Sequence, residues 1–86
     1  MLSKSERIRV LLAEDVATDA ELEVRELKRA GMRIDHRLVD SEEQFRLELG
    51  RFAPHVILSD FTMPQFDGMA ALALARETAP GVPFIF

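Results

Sequence analysis

The chain has no cysteine among its 86 residues, so disulfides, thiolate metal ligands and thiol nucleophiles are excluded at the outset. No apolar run approaches the ~20 residues that a membrane-spanning helix needs. The opening Met1-Leu2-Ser3-Lys4-Ser5-Glu6-Arg7 lacks the apolar segment of a signal peptide. A cytoplasmic protein with no membrane association is therefore expected. Excess positive charge is also missing: 11 lysines and arginines against 15 acids give a formal net charge of −4, which argues against direct nucleic-acid contact. The basic cluster Arg25, Lys28, Arg29, Arg33 reads as a solvated helix end favoured by the helix dipole. No internal repeat or low-complexity linker divides the sequence. Its length allows one domain, expected over residues 8–86 after a leader at 1–7.

What is present is a core-forming chain, 48% apolar, whose hydrophobic residues fall into alternating strand and helix patterns. Ile8 to Ala13 is nearly continuously apolar and breaks at Glu14-Asp15, the pattern of a central parallel strand. Thr18-Asp19-Ala20-Glu21 has the capping-box form and predicts a helix carrying Ala20, Val24 and Leu27 on one face, a Glu21–Arg25 pair, and a Gly31 cap. Met32 to Asp40 alternates around Ile34, His36 and Leu38, which suits a strand near a sheet edge. Ser41-Glu42-Glu43-Gln44 repeats the capping box ahead of Phe45, Leu49 and Phe52. After Pro54, Val56-Ile57-Leu58 reads as a buried third strand that delivers Asp60 to the sheet's carboxyl edge. Phe61 to Gly68 is then a loop with a turn at Asp67-Gly68. Met69, Leu72, Ala73 and Arg76 ride a third helix that stops before Pro80-Gly81, and Val82 to Phe86 opens a fourth strand. The βαβαβαβ order implies an α/β fold with a parallel sheet and helices on both faces, and a flavodoxin-like doubly wound sheet of strand order 2-1-3-4 is the expected form.

That order would bring Glu14, Asp15 and Asp60 together at the switch point between the first and third strands. Two like charges about 5 Å apart repel by roughly 3 kcal/mol at an effective dielectric near 20, so the cluster needs a compensating cation. An oxygen-only donor set favours a hard ion such as Mg²⁺, which keeps coordination positions open for a phosphoryl oxygen. His36 and His55 lack a third ligand at metal spacing and read as partly exposed strand residues. Met69 reads as core, as do Phe45, Phe52 and Phe84.

In these features the chain resembles the receiver domain of two-component response regulators: Glu14-Asp15 after a first strand, Asp60 after the third, and Met63-Pro64 followed by Asp67-Gly68. The resemblance implies that Asp60 is the phosphoacceptor, taking a phosphoryl group from a sensor histidine kinase, a phosphotransfer protein or a small acyl phosphate. It implies that Asp15 and Asp60 bind Mg²⁺ directly, that the Thr62 carbonyl adds a ligand, and that Glu14 acts through water. It implies a phosphoacceptor signalling domain rather than an enzyme. Receivers also carry a Thr or Ser at the end of strand four and a Lys after strand five. Neither position is present, the only lysines being Lys4 and Lys28, so the domain is expected to lack its last βα elements.

Two other readings fit fewer residues. A pseudo-receiver that binds partners without phosphorylation accommodates the missing Thr and Lys. A Mg²⁺-dependent aspartyl phosphohydrolase would use Asp60-Phe61-Thr62, but wants a second Asp where Thr62 stands. An unpaired fourth-strand edge, with Val82, Phe84, Ile85 and Phe86 and the Ala20, Val24, Leu27 helix face short of cover, leads to the expectation of a homo-oligomer or of a longer chain.

Overall fold

The computed structural model describes residues 7–86; of the expected leader, only Arg7 lies within them. Its elements are β1 (Ile8–Ala13), α1 (Ala17–Arg29), β2 (Ile34–Val39), α2 (Glu42–Arg51), β3 (Val56–Ser59), α3 (Gly68–Thr78) and β4 (Phe84–Ile85). All strand pairings are parallel, as the alternation of patterns implied, and the order is β2-β1-β3-β4, the doubly wound order expected. No helix among the described residues is long and apolar enough to cross a membrane.

Alternation along the strands divides the core in two. Leu11, Ala13 and Ile57 point to the face covered by Phe45 and Leu49 of α2 and by Ala71, Leu74 and Ala75 of α3, with Met63 and Phe66 closing one end. Val10, Leu12 and Ile34 point to the opposite face, where Ala20 and Val24 of α1 pack with Leu27 beside them. Ala20 and Val24 are thus buried rather than short of cover. Both faces of β1 are sealed from Val10 to Ala13, which explains the unbroken apolar run there. β2 is an edge strand with only Ile34 and Val39 buried; Leu38, expected on its inward side, is exposed.

The helix ends follow local chemistry with informative differences. Val16, not Thr18, is the N-cap of α1 and makes no side-chain cap bond; the Glu14 carboxylate accepts from the Val16 N–H instead (3.0 Å). A carboxylate two residues ahead of the cap has taken the role expected of the capping box, and Thr18 falls inside the first turn. The Glu21–Arg25 pair does not form among the described residues; α1 carries Glu26–Arg29 instead. Gly31, at φ 91°, ends α1 with the Gly31 N–H bonding the Lys28 carbonyl and the Met32 N–H that of Leu27, a double closure that requires the left-handed conformation glycine tolerates. At α2, Ser41 Oγ accepts from the Gln44 N–H as expected, but Gln44 reaches back to the Asp40 N–H rather than that of Ser41. The Asp67-Gly68 pair is a helix start: Asp67 accepts from the Ala70 N–H (2.8 Å).

The buried stripe of α3 runs Gly68, Ala71, Leu74, Ala75, which turns Met69 outward to 53% exposure. The rotation is set by Gly68, where an added Cβ would lie 2.6 Å from the Asp60 carbonyl oxygen, 2.6 Å from the Phe86 ring and 3.0 Å from the Phe61 Cα. Phe86 in turn stacks on Phe61 and Phe84, with centroids 5.2 Å away in each case. Phe84 and Val82 pack against the core, while Ile85 and Phe86 remain about half exposed in a β4 shorter than the sequence pattern predicts. His55 is more than a surface residue: its Nδ1 accepts from the Arg9 N–H and its own N–H donates to the Arg9 carbonyl, both at 2.8 Å, pinning the start of β3 against β1.

Gly68→Ala should lower stability by about 1–3 kcal/mol, because two of the three atoms in its way are backbone and cannot rotate aside. A urea midpoint equal to that of the parent would show that the loop between β3 and α3 moves freely.

Candidate metal centre

Parallel register positions the acids. Ala13 pairs with Val39 on one side and Ser59 on the other, so the three strands end level. The Glu14 N–H donates to the Val39 carbonyl (3.0 Å) and the Asp60 N–H to the Ala13 carbonyl (2.8 Å), holding the residues just past each strand in place. As a result Glu14, Asp15 and Asp60 each present a carboxylate oxygen within 4.8 Å of the others. Glu14 is buried, Asp60 half-buried and Asp15 exposed, so the group opens from the protein interior to solvent.

Electrostatics leave this cluster unrelieved. Among the described residues, no Lys or Arg forms an ion pair with Glu14, Asp15 or Asp60; the pairs that do form lie elsewhere, at Asp35, Glu26, Glu48 and Glu42. Burial pushes the Glu14 carboxyl above its ordinary value of 4.5, with Asp60, Asp15 and Asp19 adding to the rise and the Val16 N–H opposing it. Glu23, one turn along α1 from Asp19, is likewise raised, by burial and then by Asp19 and Asp60. The positive end of the α1 dipole offers partial compensation only, through the amide that Glu14 accepts.

The donor chemistry fits a hard divalent cation: all three side chains are carboxylates, close enough to share one ion, with one face open for water or a ligand. Thr62 lies exposed in the loop two residues past Asp60. A small depression lined by Asp15, Asp40, Pro64 and Gln65 adjoins the cluster. Asp40 was legible by the rule that found the other acids, since it too directly follows a strand. Gly68, which holds α3 against the Asp60 carbonyl, left only the weaker signal of an Asp-Gly pair. Ser59, adjacent to Asp60, directs its hydroxyl to the Asp60 carbonyl (2.9 Å) and helps fix that backbone.

No protein-family model matches the chain, and no curated protein matches it either.

Glu14→Gln tests the electrostatics. An acid whose value is raised in the folded state contributes stability that is complete below 4.5 and lost as pH climbs through the raised value, so ionised Glu14 costs stability at neutral pH. The glutamine variant retains an oxygen for the Val16 N–H. In chelator at pH 7 it should melt above the parent, and the difference should shrink below pH 4.5. Identical melting at both pH values would contradict the strain assigned to Glu14.

Proposed function

We propose that the chain is a phosphoacceptor receiver module of the two-component type, with Asp60 accepting the phosphoryl group. The observation that carries this reading is the convergence of Glu14, Asp15 and Asp60 within 4.8 Å at the carboxyl edge of a parallel sheet of order 2-1-3-4. In such sheets, ligands bind outside the strand ends where the order reverses, here between β1 and β3.

Asp15 and Asp60 would hold a Mg²⁺ ion through carboxylate oxygens, with the Thr62 carbonyl adding a ligand and buried Glu14 acting through water. When bound, the cation neutralises the carboxylates and gives phosphoryl oxygens a place to bind. An Asp60 carboxylate oxygen attacks the phosphorus of an acyl phosphate or phosphohistidine. The bond from phosphorus to the donor breaks, the donor leaves as a carboxylate or an imidazole, and Asp60 becomes an acyl phosphate. Little covalent chemistry is asked of other side chains, since positioning and charge neutralisation dominate such transfers. Hydrogen bonds from the Asp60 N–H to Ala13 and from the Gly68 N–H to the Phe61 carbonyl (2.9 Å) fix the backbone on both sides of the acceptor.

A second reading, a pseudo-receiver that binds partners without being phosphorylated, is favoured by the lack of any Lys or Arg ion-paired with the cluster among the described residues. A cation there would steady the transferred phosphoryl group. Acetyl phosphate with Mg²⁺ separates the two. The receiver reading predicts a mass increase of one phosphoryl group that alkali removes, that EDTA prevents and that Asp60→Asn abolishes. Modification that persists in Asp60→Asn, or none in the parent, would overturn it.

A further inference from the structure

β2 is an outer strand of the sheet, and its backbone shows which residues face outward. The Ile8 N–H donates to the Arg33 carbonyl and the Glu14 N–H to the Val39 carbonyl. In a parallel pair such bonds fall on alternate residues, so Asp35 and Arg37 also turn their backbone groups to β1, while Ile34, His36 and Leu38 turn theirs away from the sheet. Two arginines mark that outward direction: Arg7 donates to the Ile34 carbonyl (3.3 Å) and Arg37 to the His36 carbonyl (3.1 Å). No helix overhangs this edge among the described residues, since Asp35, His36, Arg37 and Leu38 are all exposed although they alternate between the two faces. Pairing with β1 runs without a bulge from Ile34 to Val39, and the stretch holds no proline or glycine. Of the devices that blunt sheet edges, only charge is present, and it is of both signs.

We propose that two copies of the chain join along β2, antiparallel about a two-fold axis through His36, so that Asp35 of each copy opposes Arg37 of the other. The axis must pass through a residue, because an axis between residues would set outward backbone groups against inward ones. Through His36, it makes Ile34–Leu38 and His36–His36 the hydrogen-bonded pairs and Asp35–Arg37 the closer non-hydrogen-bonded pair, with Cα atoms ~4.5 Å apart on the α2 face. Moved one residue either way, it sets Arg37 or Asp35 against its own copy, and like charges directly opposite are destabilising. Charge thus selects both the occupant and the register: the edge is complementary to itself. The present partners of these side chains are exchangeable, since Arg7–Asp35 and Arg37–Glu48 are 3.8 Å pairs in which Asp35 and Arg37 are more than half exposed. The Phe52 ring, 4.8 Å from the Arg37 guanidinium, keeps that cation on the α2 face. On the α1 face, an open groove over His36, walled by Val24, Arg25 and Lys28, leaves space above the joined strands.

Light scattering on a dilution series of the chain tests this. The parent should be a dimer at high micromolar concentration and dissociate on dilution. Asp35→Lys and Arg37→Glu each turn both symmetry-related pairs from attractive to repulsive, so each alone should raise the dissociation constant at least about tenfold. Combined in one chain, the two reversals restore opposite charges across the axis and should return dimerisation to near the parent's. Both positions are exposed, so the far-UV melts should stay close to the parent's. The chain has no cysteine of its own, so His36→Cys supplies a single thiol, which a short bis-maleimide should link to its copy across Cα atoms ~5.5 Å apart. Ile85→Cys, on β4 at the opposite edge of the sheet, should not crosslink. A dimer indifferent to both single reversals, or crosslinking through Ile85→Cys in place of His36→Cys, overturns the proposal. So does a parent that stays monomeric at high micromolar concentration, which would leave the edge to a strand of another protein.

Discussion

Ala13 pairs at once with Val39 of β2 and Ser59 of β3, and that shared register is the constraint on which the site depends. In a strand, neighbouring side chains alternate between faces, so a slip of one residue would turn Leu11 and Val10 onto the wrong helices as well as separating the acids. Burial of β1 on both faces therefore fixes the position of Glu14 and Asp60 indirectly. The packing free energy that holds the core in register is the same free energy that holds like charges together. His55 adds to it at the other end of the strands, where its ring accepts the Arg9 N–H.

Against that constraint stands the repulsion within the cluster. Three carboxylates within 4.8 Å interact at a few kcal/mol per pair at an effective dielectric near 20, less where water screens the exposed Asp15. A single domain has only ~5–15 kcal/mol of net stability, so this is a substantial charge on the fold. Nothing among the described residues offsets it with an ion pair. The raised Glu14 carboxyl is the local trace of that imbalance, and a divalent cation is the group whose binding would reverse its sign. Stability, cation binding and the proposed chemistry at Asp60 are on this account a single coupled equilibrium.

The strands and the acids at their ends were legible because both rest on apolar-run and strand-end patterns that local sequence carries directly, and the doubly wound order then brings those acids together. The differences arose where tertiary contacts overrode local signals. Thr18 lost its capping role because Glu14, steered by register, reached the Val16 N–H first. Met69 faces solvent because Gly68 must lie against the Asp60 carbonyl, which fixes the rotation of the whole of α3. Phe66, buried against Phe45 at 5.3 Å, sits in a loop that has no periodicity from which to read it. The hydrogen bond of His55 was not legible because its partner, the Arg9 amide, is distant in sequence and neighbouring only in the sheet. Ala20 and Val24 are covered by their own sheet, so the exposed apolar surface lies further outward, at Leu22, Ile85 and Phe86.

The central claim is that one cation site is built jointly by the ends of β1 and β3. Paramagnetic broadening of amide resonances by Mn²⁺, read on the folded protein, tests it most directly. The account predicts selective loss of signal at Glu14, Asp15, Asp60 and Phe61 at low Mn²⁺, reversed by excess Mg²⁺ and absent in Asp60→Asn. Broadening centred instead on Glu42 and Glu43, or spread evenly over the acidic surface, would contradict it.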